Sequence, residues 1–121
     1  MMGDVLTKIE IVTRPDNFEA FKQELAKIGV NGITVVEAKG TGLQKGYKET
    51  YRGVTREISL HDRIKIEIVV CEVPVQQVID LARKNFNTGE PGDGKIFIYE
   101  LANVIKIRTA EEGRAALKNE Q

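Results

Sequence analysis

An α+β domain is predicted by three observations in this 121-residue chain. Segments with alternating or β-branched apolar residues read as strands, and two other segments carry apolar residues at helical spacing. The two kinds follow one another as β-α-β-β-α-β. That order is two split βαβ units, which fold as a ferredoxin-like sheet with both helices on one face. The length suits one domain over residues 1–121, with no internal boundary.

LTKIEIVT (6–13) alternates polar and apolar residues as a strand does, and Pro15 ends it. Asp16 with Glu19 is the expected N-cap pair of a first helix. Phe18, Phe21, Leu25 and Ile28 form its apolar stripe, and Gly29 suits the C′ position. GITVVEAK (32–39) is a β-branched strand bounded by glycine. DRIKIEIVV (62–70) is another, with Ile64, Ile66, Ile68 and Val70 on one face. Pro74 belongs in the first turn of a second helix, whose stripe is Val75, Val78, Ile79, Ala82 and Phe86. KIFIYEL (95–101) and VIKIRT (104–109) read as the last strand material, before a frayed polar tail over 110–121.

Charge is abundant but balanced, with 18 basic and 18 acidic residues, so no global field holds the chain to nucleic acid or membrane. Any anion must be caught locally. No apolar run approaches the roughly 20 residues that span a bilayer, and MMGDVLTKIE lacks a signal pattern, so a cytoplasmic location is expected. The single Cys71 closes the run IEIVVC and reads as a buried strand residue, and the single His61 reads as a loop residue. Without a nucleophile–base set or a Cys/His metal spacing, hydrolytic chemistry is a poor reading.

The sheet face away from the helices is expected to be half charged. Lys8, Glu10, Lys65, Glu67, Lys106 and Arg108 alternate along strands, interleaved with Val12 and Val69. Either that face is solvated, or it packs on copies of the chain with opposite charges pairing across the contact. Residues 40–61 are an anomaly, because a short hairpin would join the same two strands. A loop this long is ordinarily functional or disordered, and this one reads as a mobile arm. Tyr47, Tyr51, Val54 and Ile58 fall at helical spacing within it, interrupted by Gly53, so that part of it becoming helical on docking is one expectation.

Two glycine-rich stretches invite anions. GTGLQKG (40–46) follows a strand, and TGEPGDGK (88–95) precedes one. Glycines leave backbone N–H groups uncovered, free to converge on phosphate oxygens, and the lysines supply charge. Neither stretch has the spacing of a dinucleotide or Walker motif, so each reads alone as either a turn or an anion cradle. The two act together only if the strand order brings them side by side.

TxxxGDGKIF (Thr88 to Phe97) resembles the C-terminal signature of the PII nitrogen-regulatory proteins. GTGLQKG, YRG (51–53) and KIEIVV (65–70) fall in that family's order and spacing, and IEIVTRP with FKQELAKIGV resembles its GlnK-type branch. The resemblance covers essentially the whole chain. It implies a homotrimer of ferredoxin-like subunits with sheets facing inward, ATP or ADP in the clefts between subunits, and 2-oxoglutarate bound with Mg²⁺-ATP. By motif, Gly40, Gly42, Gln44, Lys45 and Gly46 border the phosphates from one side and Gly92, Asp93, Gly94 and Lys95 from the other. Glu67 and Val69 line the base or ribose. The neighbouring subunit adds Gly32, Ile33 and Thr34 near the adenine, and Lys106 and Arg108 toward the phosphates. The implied 2-oxoglutarate set is Gln44, Lys45, Gly46 and Arg63, with Gln44 also in the Mg²⁺ shell. The partner-binding set is Tyr51, Arg52 and Gly53.

The sequence also departs from that family. Arg56 stands where some members carry a uridylylated tyrosine and Val54 where others carry a phosphorylated serine, so neither covalent route is expected. Arg63 replaces a lysine that contacts 2-oxoglutarate, and Lys106 replaces an arginine. Three readings follow: a non-enzymatic sensor that regulates a partner through its arm, a small enzyme, or an assembly module without ligand. For the first, an ammonium channel is the expected partner, with a transcription factor or glutamine synthetase as alternatives.

Overall fold

The computed structural model describes residues 5–30, 32–41, 50–51, 54–55 and 60–118. Strand β1 (Leu6–Thr13) leads through helix α1 (Phe18–Lys27) to β2 (Ile33–Gly40). Two very short strands, β3 (Thr50–Tyr51) and β4 (Val54–Thr55), precede β5 (His61–Val70), helix α2 (Val75–Phe86), β6 (Lys95–Leu101) and a short 3-10 helix (Gly113–Leu117). The main sheet has the order β2-β5-β1-β6, with every neighbouring pair antiparallel, so the expected ferredoxin-like arrangement is present.

Register explains which residues face the helices. Ile9 pairs with Ile68 and Ile98, and Ile11 with Ile66 and Ile96, which puts the isoleucines of three strands on one face. Against them pack Phe21 and Leu25 of α1 and Val78, Ala82 and Phe86 of α2, all buried. The Phe21 and Phe86 rings meet edge-on with centroids 5.0 Å apart, a geometry worth roughly 0.5–1.5 kcal/mol beyond burial. Ile33 lies on this same face and packs on the core.

Helix boundaries come from local chemistry. Asn17, not Asp16, is the N-cap of α1; it adopts φ 67°, a conformation asparagine tolerates. Its side chain donates to the Asn85 carbonyl at 3.0 Å and so ties the start of α1 to the end of α2. At the other end Gly29 takes φ +94°, and Val30 N donates to Leu25 O while Gly29 N donates to Ala26 O, a Schellman closure. Pro74 is the N-cap of α2, just ahead of the first turn where it was expected.

Several expectations are corrected. VIKIRT is not a strand: Leu101 already pairs with Leu6, the first residue of β1, so the following chain has no sheet partner and folds on itself. Ile105 bridges Glu112, Gly113 N donates to Val104 O, and Asn103 Oδ1 accepts from both Val104 N and Gly113 N. The tail is therefore structured through Lys118. Cys71 lies one residue past β5, half-buried, because the β1 pairing ends at Val70. His61 is exposed but belongs to β5, opposite Gly40. In the arm, which is described here without a docked partner, Thr50 pairs with Thr55 and Tyr51 with Val54 as short strands; Gly42, Gln44, Lys45, Gly46, Tyr47, Arg52, Gly53, Arg56 and Ile58 lie outside the described residues.

The open face carries Lys8, Glu10, Val12, Lys65, Glu67 and Val69 together with Phe97 and Tyr99 of β6. Glu10 and Glu67 stand directly opposite each other, a repulsive register. Lys8 resolves it: its ammonium lies 2.8 Å from Glu67 and 3.7 Å from Glu10, above the Tyr99 ring. These opposite charges pair within the chain.

Candidate functional site

After α2 the chain crosses to β6 through residues 88–94, and Asp93 organises that crossing. Its carboxylate accepts from Thr88 N at 2.8 Å, Gly89 N at 3.0 Å, the Thr88 hydroxyl, and Arg14 Nη1 at 2.7 Å. The Arg14 guanidinium also donates to Pro91 O at 2.5 Å, and the Thr13 hydroxyl donates to Asp93 O at 2.7 Å. The end of β1 thus holds the loop at both of its sides. Gly94 is where the loop enters the sheet: at φ +99° its backbone runs so close to Val12 that a side chain would overlap the Val12 carbonyl.

The Thr88 hydroxyl, then the Thr88 and Gly89 amides and the Arg14 guanidinium, hold the Asp93 carboxyl at about 2, below its ordinary 3.8. A depressed folded-state value means stability that is fully present above pH 3.8 and lost as pH falls toward 2. Asp93→Asn is therefore expected to be less stable than the parent chain at pH 6, with the gap closing between about pH 4 and 2. Urea denaturation of both proteins at several pH values reads it; a gap independent of pH would refute it.

The strand order places Gly40, the described start of the first glycine-rich stretch, at the same end of the sheet as the second. Gly40 pairs with His61, Thr13 with Ile64, and Val12 with Lys95, so all four strand ends lie along one end of the sheet. A Cβ on Gly40 would lie 3.1 Å from Arg63 Cγ, and one on Gly92 would lie 3.3 Å from Arg63 Nη2 and 2.6 Å from Arg14 Nη2. Arg63 therefore spans the corner between Gly40 and Gly92. Lys95 faces the same open side as Val12, is exposed, and has no salt bridge among the described residues.

The other predicted residues lie at the opposite end. Gly32, Thr34, Glu67 and Val69 line a cavity of about 770 Å³, with Arg114 and Leu117 of the 3-10 helix on its far wall. Thr34 is opposite Glu67 in register, so these residues form one unit from one subunit. Within one chain Gly32 and Thr34 thus lie beside Glu67 and Val69. Ile33 points into the core, leaving only its backbone for the cavity. Lys106 Nζ, 3.1 Å from the Lys118 carbonyl and 3.6 Å from Glu111, belongs to this end too, because Lys118 lines the same cavity. Arg108 lies in the turn that follows. Glu67 is held ionised by the hydrogen bond from Lys8, which lowers its pKa.

The family described as nitrogen regulatory protein P-II matches residues 6–111, which hold the whole main sheet and both helices. The chain belongs to the P-II family. It is 56% identical over 116 residues to the nitrogen regulatory PII-like protein of Bacillus subtilis, covering 96% of this chain and all of the relative. It is 41% identical over 112 residues to nitrogen regulatory protein P-II 1 of Escherichia coli, covering 93% of this chain and all of that one. Among solved structures it resembles the B. subtilis GlnK–ATP complex, with TM-score 0.80, 51% identity and coverage of 96% and 99%. Arabidopsis thaliana PII bound to citrate gives TM-score 0.75 and 32% identity, with coverage of 96% and 93%. These relatives place the P-II chain in the GlnK-type branch and among proteins named as regulators rather than enzymes.

Within this P-II chain, Thr13 and Arg14 are the site residues the sequence did not single out. Arg14 and Asp93 stand 79 positions apart, and nothing local marks the TRP triplet as more than a strand end. Among the described residues no group of three His, Cys, Asp or Glu is placed to hold a metal, and no helix is long and apolar enough to cross a membrane.

Proposed function

We propose that this P-II protein is a cytoplasmic sensor that binds ATP or ADP together with 2-oxoglutarate and regulates an ammonium channel through its 40–61 arm. A transcription factor or glutamine synthetase is the alternative target. The observation that carries the reading is the corner where Gly40 and Gly92 lie on either side of Arg63 with Lys95 exposed beside them: uncovered N–H groups and cations suit a polyphosphate. The ATP named with B. subtilis GlnK and the citrate named with the Arabidopsis protein support a nucleotide and a small polycarboxylate as ligands.

The two ends of the sheet also favour a homotrimer. Thr34 and Gly40 stand at opposite ends of β2, about 20 Å apart at roughly 3.3 Å per residue. One nucleotide cannot put its base against Thr34, Glu67 and Val69 and its phosphates against Gly40 and Gly92 of the same chain. A neighbouring subunit that brings its base cavity, with Lys106 and Arg108, to this chain's glycine corner completes a site. Its phosphates supply oxygens for Mg²⁺, a hard cation, with the Gln44 amide as a further oxygen donor.

The test is a pull-down of the channel with ADP, then with Mg²⁺-ATP and 2-oxoglutarate, alongside ATP titration and light scattering. Capture with the first ligand set and release with the second is expected from a trimer. Arg52→Ala abolishes capture and keeps ATP affinity, because a planar guanidinium reaching several partner carbonyls is not replaced. Gln44→Ala keeps capture but loses release by 2-oxoglutarate, since a ligand moves an arm only by its differential affinity for the two arm states. A stable monomer, or an Arg52→Ala protein with weakened ATP binding, contradicts the reading.

A further inference from the structure

The 88–94 loop is held in an unusual way, and the manner of holding suggests a role for Arg14. Beneath the loop, on the helix side, lies a cavity of about 330 Å³ lined by Ile11, Phe86, Gly94 and Ile96. Hydrophobic packing therefore does not seat this loop. What seats it is the polar clasp: Arg14 on Asp93 and Pro91 O, Thr13 on Asp93 O, and the Asp93 carboxylate on Thr88 and Gly89.

We infer that Arg14 is a positioning residue for anion recognition, setting the loop so that the Gly92 backbone and Lys95 present to phosphate oxygens. The inference rests on the nucleotide reading above. Arg14 is engaged by the loop itself: two of its five N–H groups go to Asp93 and Pro91 O, and its charge is matched at 2.7 Å by that carboxylate. Its neighbour Arg63 differs: among the described residues its guanidinium donates to the Asp62 carbonyl at 2.8 Å and forms no salt bridge. The two arginines approach Gly92 together, and among the described residues only Arg14 of the pair is in a salt bridge, Arg63 having Asp62 as a charged neighbour without one. A loop ordered before binding spares the ligand the entropy of ordering it, which is how a residue that never touches phosphate changes phosphate affinity.

Two measurements test this separately. In the ligand-free protein, hydrogen exchange of the Thr88 and Gly89 amides is expected to accelerate in Arg14→Ala and to return toward the parent rate in Arg14→Lys. In titrations, Arg14→Ala is expected to weaken ATP by about tenfold or more while leaving adenosine, which has no phosphate, within twofold. Thr88→Val, a change at an exposed position that cannot unfold the core, is expected to weaken ATP in the same direction. Unchanged exchange in Arg14→Ala overturns the clasp. Equal losses for ATP and adenosine overturn the positioning role and leave a general structural one. A parent protein that ignores ATP removes the nucleotide reading, and the positioning role with it, while the exchange measurement still judges the clasp.

Discussion

Gly94→Ala is expected to destabilise the folded chain by roughly 3 to 5 kcal/mol, the range of strain and overpacking combined. Two penalties coincide at this residue. Its φ of +99° is one that residues with a Cβ rarely adopt, and the added carbon would overlap the Val12 carbonyl oxygen while sitting 2.9 Å from the carbonyl carbon and 3.0 Å from Thr13 Cα. All three atoms are backbone of a central strand, so none can swing away as a side-chain tip would. Gly89 is the control: it has φ +83°, but a Cβ there meets nothing within 4 Å. Gly89→Ala should therefore cost about 1 kcal/mol, from conformation alone. Urea denaturation of both variants separates the two penalties, and equal losses would show that the approach to Val12 matters little.

Lys95→Ala is the largest expected effect on binding. In the proposed site, where a neighbouring subunit closes over the corner and excludes water, removing this cation would leave phosphate charge unpaired and should cost roughly 2 to 5 kcal/mol of ATP affinity, at least about thirtyfold. Folding should survive, because the side chain is exposed in the isolated chain and joins no salt bridge among the described residues. Calorimetric titration with ATP checks the first point and the denaturation midpoint checks the second. An unchanged affinity would take Lys95 out of the site.

The Lys95 and Gly94 variants differ in how their consequences could be anticipated. Gly94 lies in a stretch whose glycines announce a bend, yet the reason that only glycine fits is Val12, a residue 82 positions earlier (94 less 12) brought alongside by the β1–β6 pairing. Lys95 was recognisable as a cation beside glycines. That it shares an end of the sheet with Gly40 depends on the antiparallel order β2-β5-β1-β6.

By itself the sequence determined the element order, the apolar faces and the helix stop at Gly29, because periodicity and local backbone preference act within a few residues of each other. It also determined family membership, through motifs spread over most of the chain. Only the tertiary structure decided that VIKIRT is a turn, since a strand exists only where a partner strand is left to pair with it, and Leu6 had already taken Leu101. Only the tertiary structure put Gly32, Thr34, Glu67 and Val69 in one cavity and Gly40 and Gly92 beside Arg63. It alone gave Arg14 its place, because an arginine's role is set by the carboxylate that folding brings to it. Those are contacts between residues far apart in the chain, and they follow from strand order and register, which no local pattern encodes.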